Sequence, residues 1–127
     1  MTSTQIIPTD ITLHQKSRVL EVKFDDGAHY ALPCEFLRVY SPSAEVRGHG
    51  PGQEVLQLGK ESVTITAIEP MGNYAVKLVF DDDHDTGLYS WEYLYNLGAH
   101  QEELWQEYLQ ALKNAGYERR TVDASGS

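Results

Sequence analysis

Hydrophobic and polar residues alternate most cleanly from Arg18 to Phe24, with Leu20, Val22 and Phe24 on one face and Val19, Glu21 and Lys23 on the other. A period of two predicts a half-buried strand. Asp25-Asp26-Gly27 is a turn signal, and Ala28 to Leu32 follows as the hairpin partner. Asp10 to Leu13 has the length of a short first strand. Pro33 suits the first turn of a helix over Glu35 to Tyr40, with Phe36, Leu37 and Tyr40 pointing inward. Ser41 to Gln53 holds two prolines and three glycines and is expected to be a long loop, a place where function often sits. Val55 to Leu58 is expected as an edge strand. Val63 to Ile68 and Tyr74 to Phe80 are the strongest strands, joined by a Pro70-Met71-Gly72-Asn73 turn.

The period then changes. Ser90 is an N-cap for a short helix ending at Gly98. A longer helix follows over His100 to Ala115, in which Leu104, Trp105, Tyr108, Leu109 and Leu112 recur at helical spacing and make one apolar face. Glu102 and Glu103 near its start and Lys113 near its end suit the helix dipole, and Gly116 stops it. Strands cluster before helices. The expected fold class is therefore α+β: an antiparallel β-sheet with short helices and one longer C-terminal helix packed on one face. The expected domain is a single unit over residues 8–115, with flexible tails at 1–7 and 116–127.

Composition narrows the function classes. At 127 residues and 41% hydrophobic, the chain can bury a real core without covalent staples. The formal net charge of −9, from 19 acidic and 10 basic residues, repels phosphate backbones. Arg119-Arg120 is the densest basic pair, so no nucleic-acid partner is expected. No apolar run approaches the ~20 residues of a membrane span. Met1 to Gln5 lacks the basic-then-apolar pattern of a secretory leader. Cys34 is the only cysteine, which excludes an internal disulfide and a multi-cysteine metal cluster. A cytoplasmic setting without a membrane is the expectation. Cys34 itself reads as a sheltered residue at a strand–helix junction, the alternative being a reactive or metal-binding thiol.

Two segments carry a family signature. One runs from Leu32 to Gly50 and includes Phe36-Leu37-Arg38, Ser41-Pro42-Ser43, Val46 and Gly48-His49-Gly50. The other is Asp81-Asp82-Asp83-His84-Asp85-Thr86-Gly87-Leu88-Tyr89-Ser90-Trp91-Glu92-Tyr93-Leu94. Together they resemble the small N-terminal domain of γ-butyrobetaine hydroxylase and trimethyllysine hydroxylase, which also occurs as a standalone bacterial protein. The resemblance spans roughly residues 8 to 112.

In those oxygenases the resemblance implies a zinc site of three cysteines, following a Trp-Leu-Arg stretch, and one histidine. The cysteine positions fall here on Ser41, Ser43 and Val46, and the histidine on His84. Zinc takes thiolate, imidazole or carboxylate ligands. With one ligand of that set present, the three-Cys/one-His zinc site is expected to be lost, leaving His84 as a metal candidate for zinc or iron with nearby carboxylates. Asp81, Asp83, Asp85 and Glu92 match calcium-loop positions, but Thr86 stands where the loop needs glycine.

No catalytic constellation stands out. The oxygenase facial triad belongs to a separate, larger domain, and His100-Gln101-Glu102 is a chance match on a predicted helix. Arg38, Arg47 and His49 form the candidate ligand site, an anion pocket in an acidic chain. The competing reading pairs Arg38 and Arg47 with Glu35 or Glu45, ordering the loop.

Two functions compete: a non-catalytic accessory or protein-interaction module, and a metal- or small-anion-binding protein. The family's association with oxygenases and iron–sulfur cluster carriers implies a protein partner in iron or iron–sulfur metabolism. Tyr89, Trp91, Tyr93 and Tyr95 are too many for one short helix to bury on one face, so some are expected on a partner surface.

Overall fold

The computed structural model describes residues 7–43, 46 and 55–119. The expected α+β class holds, with two sheets where one was expected. Strands β1 (Pro8–His14), β2 (Val19–Phe24) and β3 (His29–Pro33) form an antiparallel sheet in the order β1-β2-β3. Strands β4 (Ile65–Met71), β5 (Ala75–Phe80) and β6 (Gly87–Ser90) form the second, in the order β4-β5-β6. Helices α1 (Cys34–Val39), α2 (Trp91–Ala99) and α3 (Gln101–Asn114) complete the fold.

The alternation in β2 does what it predicts: Leu20, Val22 and Phe24 are buried. They meet Leu32 of β3, Phe36 and Leu37 of α1, and Ile65, Leu78 and Phe80 of the second sheet in one core. Each such side chain contributes about 1.5–3 kcal/mol by leaving water. Helices α1 and α2 pack on β3, α2 also packs on β6, and α3 packs on α2. A smaller cluster of Val39, Tyr108 and Leu112 joins α1 to α3.

Several expectations are corrected. Pro33 ends β3 and caps α1 from outside, at φ −61° and ψ 145°, rather than filling its first turn. Pro70 and Met71 belong to β4, an edge strand where proline is tolerated, and the turn begins at Gly72, φ +59°. Val63 precedes the strand in a turn closed by its N–H to the Lys60 carbonyl. Val55 to Leu58 forms no strand: the Tyr108 hydroxyl donates to the Gln57 carbonyl, and the Gln57 amide reaches back to Val55. Strand β6 was not anticipated, because Gly87-Leu88-Tyr89-Ser90 is too short to show a period.

Gly98 lies inside α2 rather than ending it. A Cβ there would sit 2.2 Å from the Tyr30 ring, so glycine is required by close helix–strand packing. Ser90 does cap α2, accepting from the Tyr93 N–H at 3.1 Å. Beyond α3, Tyr117 and Arg119 contact the body. Tyr117 donates to Glu61, and Arg119 pairs with Glu35 and lies 5.2 Å from the centre of the Trp105 ring. Among the described residues no helix is long and apolar enough to cross a membrane.

Candidate functional site

The loop leaving α1 and the turn entering β6 converge. Ser41 Oγ and His84 Nε2 are 2.8 Å apart, and both residues are buried. Ser43 Oγ bonds Thr86 Oγ1 at 2.6 Å, and the Ser43 N–H donates to Ser41 Oγ at 3.2 Å. Val46 is also buried. Gly87 permits this approach, since a Cβ there would lie 2.6 Å from Ser41 Oγ. The register read from sequence is thus right in space for Ser41 and His84. The donor set does not fit zinc: two hydroxyls and an isopropyl group stand where thiolates are needed, and Ser41 engages the imidazole nitrogen. The cluster ties two loops together by hydrogen bonds.

Arg38 is buried within α1, and its Nε donates to Asp82 Oδ2 at 2.9 Å. Lys60 reaches the same oxygen at 2.7 Å. Burial opposes the charged form of Asp82, but the Lys60 hydrogen bond and the Arg38 charge outweigh it and hold the carboxyl below its ordinary range. The reading that pairs Arg38 with Glu35 does not hold, since Glu35 takes Arg119; Glu45 lies outside the described residues. The Arg38 guanidinium therefore orders the acidic turn. Arg47 and His49 lie outside the described residues, so the structure brings neither to Arg38.

The acidic turn makes no cation cage. Asp82 holds two cations, Asp81 Oδ1 accepts the Thr64 N–H at 3.2 Å, and Asp83 and Asp85 are exposed. Among the described residues no group of three or more His, Cys, Asp and Glu side chains is arranged to hold a metal ion. Cys34 is fully buried, and that burial pushes its thiol up, away from reactivity. His100 pairs with Glu103 at 3.0 Å, not with Glu102.

In the aromatic row Tyr89 is buried, while Trp91, Tyr93 and Tyr95 are half-buried and anchored through their polar tips. Tyr89 belongs to β6, is fully buried and donates to the Leu37 carbonyl. Tyr93 donates to Tyr40 O, Tyr95 to Asp26 at 2.6 Å, and Trp91 Nε1 to Asn73 O at 2.8 Å. These donors fasten β6 and α2 to the rest of the fold.

Among the described residues an apolar groove of about 680 Å³ opens between the end of α1, segment 55–57, α2 and α3. Its walls include Val39, Tyr40, Leu97, Leu104, Tyr108 and Ala111, and Val55 and Leu56 form an exposed rim. The tyrosine hydroxyls here are engaged: Tyr40 donates to Leu104 O and Tyr108 to Gln57 O, both at 2.6 Å. Burial, with Glu107 nearby, pushes the Tyr40 hydroxyl up to about 12. Sequence reading missed this groove. The one available signal was apolar Val55, Leu56 and Leu58 in a segment with no strand partner.

Known proteins share this fold and sequence. The family model described as gamma-butyrobetaine hydroxylase-like, N-terminal, matches residues 11–95. One protein solved in solution by NMR is 54% identical, with a TM-score of 0.80 over 96% of this chain and 92% of that one. A second NMR structure is 46% identical, with a TM-score of 0.79 over 94% and 97%. A crystal structure from Acidithiobacillus ferrooxidans, of a protein with unknown function in the DUF971 family, is 40% identical. Its TM-score is 0.61 over 72% of this chain and 92% of that one. No curated protein matches.

Proposed function

Since the chain belongs to the gamma-butyrobetaine hydroxylase-like N-terminal family, we propose that it is a non-catalytic accessory module that works by binding a protein partner. The supporting observation is a contrast. Polar side chains singled out from sequence hold the fold: His84 with Ser41, Arg38 with Asp82, and Tyr89 and Tyr93 with backbone carbonyls. The 680 Å³ groove, by comparison, keeps an apolar lining open. Large apolar concavities mark binding sites. The oxygenases and iron–sulfur carriers that the family accompanies make iron or iron–sulfur systems the first place to look for the partner.

The test is affinity purification of the full chain from its own cells, with quantitative mass spectrometry. A partner recovered reproducibly, and at near-equal amount, is the expected result. Recovery of the chain alone, at native concentration and low salt, overturns the reading.

A further inference from the structure

Resting on the interaction-module reading, we propose that the groove takes an apolar segment of a different protein, carrying two or three large aliphatic side chains flanked by basic residues. Three features argue for this occupant.

The first is the chemistry of the floor. Tyr40, Tyr93 and Tyr108 line the groove, yet each hydroxyl donates to a backbone carbonyl of this chain. These groups offer ring surface rather than free donors, so they select apolar groups over polar ligands.

The second is the rim. Val55 is 52% exposed and Leu56 36% exposed, and both border the cavity. An apolar floor and an apolar edge make one continuous surface, which a side chain entering the groove also covers.

The third is charge. Among the described residues the lining contains Glu107 and His100, and neither lysine nor arginine. Helices α2 and α3 carry Glu92, Glu102, Glu103 and Glu107 against Lys113 alone. A second copy of this chain would bring its own net charge of −9 to a molecule of the same sign. Like charges disfavour that pairing, whereas a basic-flanked segment is drawn in and held in register.

The test uses the full chain, 15N-labelled, and two amphipathic peptides with the same leucine face, one with lysine on its polar face and one with glutamate. The lysine peptide should shift the amides of Leu97, Leu104, Ala111 and Val55, weaken as salt rises, and bind at least about tenfold more tightly than the glutamate peptide. Ala111→Arg should lose that binding while the rest of the spectrum keeps its dispersion.

Equal binding of both peptides, or shifts spread over the acidic surface without the groove residues, overturns the proposal. A leucine peptide that binds only after residues 47–54 are replaced by a short Gly-Ser linker also overturns it, because the chain's own segment would then be the occupant. Concentration-dependent dimerisation that Ala111→Arg abolishes does the same in favour of a second copy. A cellular partner captured equally by the wild-type and Ala111→Arg chains removes the groove assignment and leaves the interaction-module reading standing.

Discussion

The Ser41 hydroxyl and the His84 imidazole meet at 2.8 Å across 43 residues of sequence. Both are buried, so each serves as the other's substitute for water. Removing either deprives the other, buried group of this hydrogen bond. Ser41→Ala and His84→Ala should each lower stability by about 1–3 kcal/mol. In a double-mutant cycle by urea unfolding, the pair should lose less than the sum of the singles. A chelator should leave the melting temperature unchanged. Full additivity, or a chelator-induced drop, would contradict a hydrogen-bonded tie.

Asp82 is the hub of the acidic turn. Its carboxyl is held below the ordinary range in the folded state, where Lys60 and Arg38 outweigh the cost of burial. A depressed carboxyl contributes stability that is fully present above the unfolded value, about 3.9, and is lost as pH falls through the lower folded value. Asp82→Asn should cost about 2–3 kcal/mol at neutral pH, below the 3–5 of a fully buried pair because its side chain keeps 24% exposure. Below pH 4 the stability curves of the two proteins should converge. Parallel curves would exclude Asp82 as a source of acid sensitivity.

Gly98 sets helix propensity against packing. Alanine in a helix interior is favoured over glycine by about 1 kcal/mol. Here the added Cβ would lie 2.2–2.7 Å from Tyr30 ring carbons, and overpacking costs about 1–3 kcal/mol. Gly98→Ala should therefore destabilise the protein, and in a Tyr30→Ala background, which removes the clashing ring carbons, the same change should become neutral or stabilising. Thermal unfolding of the four proteins decides the sign.

The tyrosine row offers a graded series. Tyr89→Phe removes a buried hydroxyl and strips the Leu37 carbonyl of its donor, at about 1–2 kcal/mol. Tyr95 meets Asp26 near solvent, where water replaces a lost partner, so Tyr95→Phe should cost less than about 0.5 kcal/mol. Equal effects in denaturant titrations would mean that the burial of Tyr89 carries no hydrogen-bond energy.

The strands with one face in the core were legible, because burial enforces the period: β2 is the clear case. Strand β6 was not, since four residues show no period and its pairing with β5 is a long-range fact. Segment 55–58 misled for the opposite reason: Val55 and Leu56 line a groove rim rather than a sheet. The anchoring of the aromatic row was not legible, because tyrosine has a hydrophobic body and a polar tip, and sequence does not say where the tip finds an acceptor.

At the candidate site, the convergence of Ser41 and His84 was readable through the family register. The choice of Asp82 among three adjacent aspartates was not. That choice depends on the turn geometry, with Asp83 at φ +69°.

Cys34 has a practical consequence. It is the chain's single thiol, fully enclosed where β3 passes into α1, and its burial suppresses the thiolate. A labelling reagent can reach it only when that junction parts from the core. Alkylation kinetics on the unmodified chain therefore count core-opening events directly, so the molecule carries its own internal clock for unfolding.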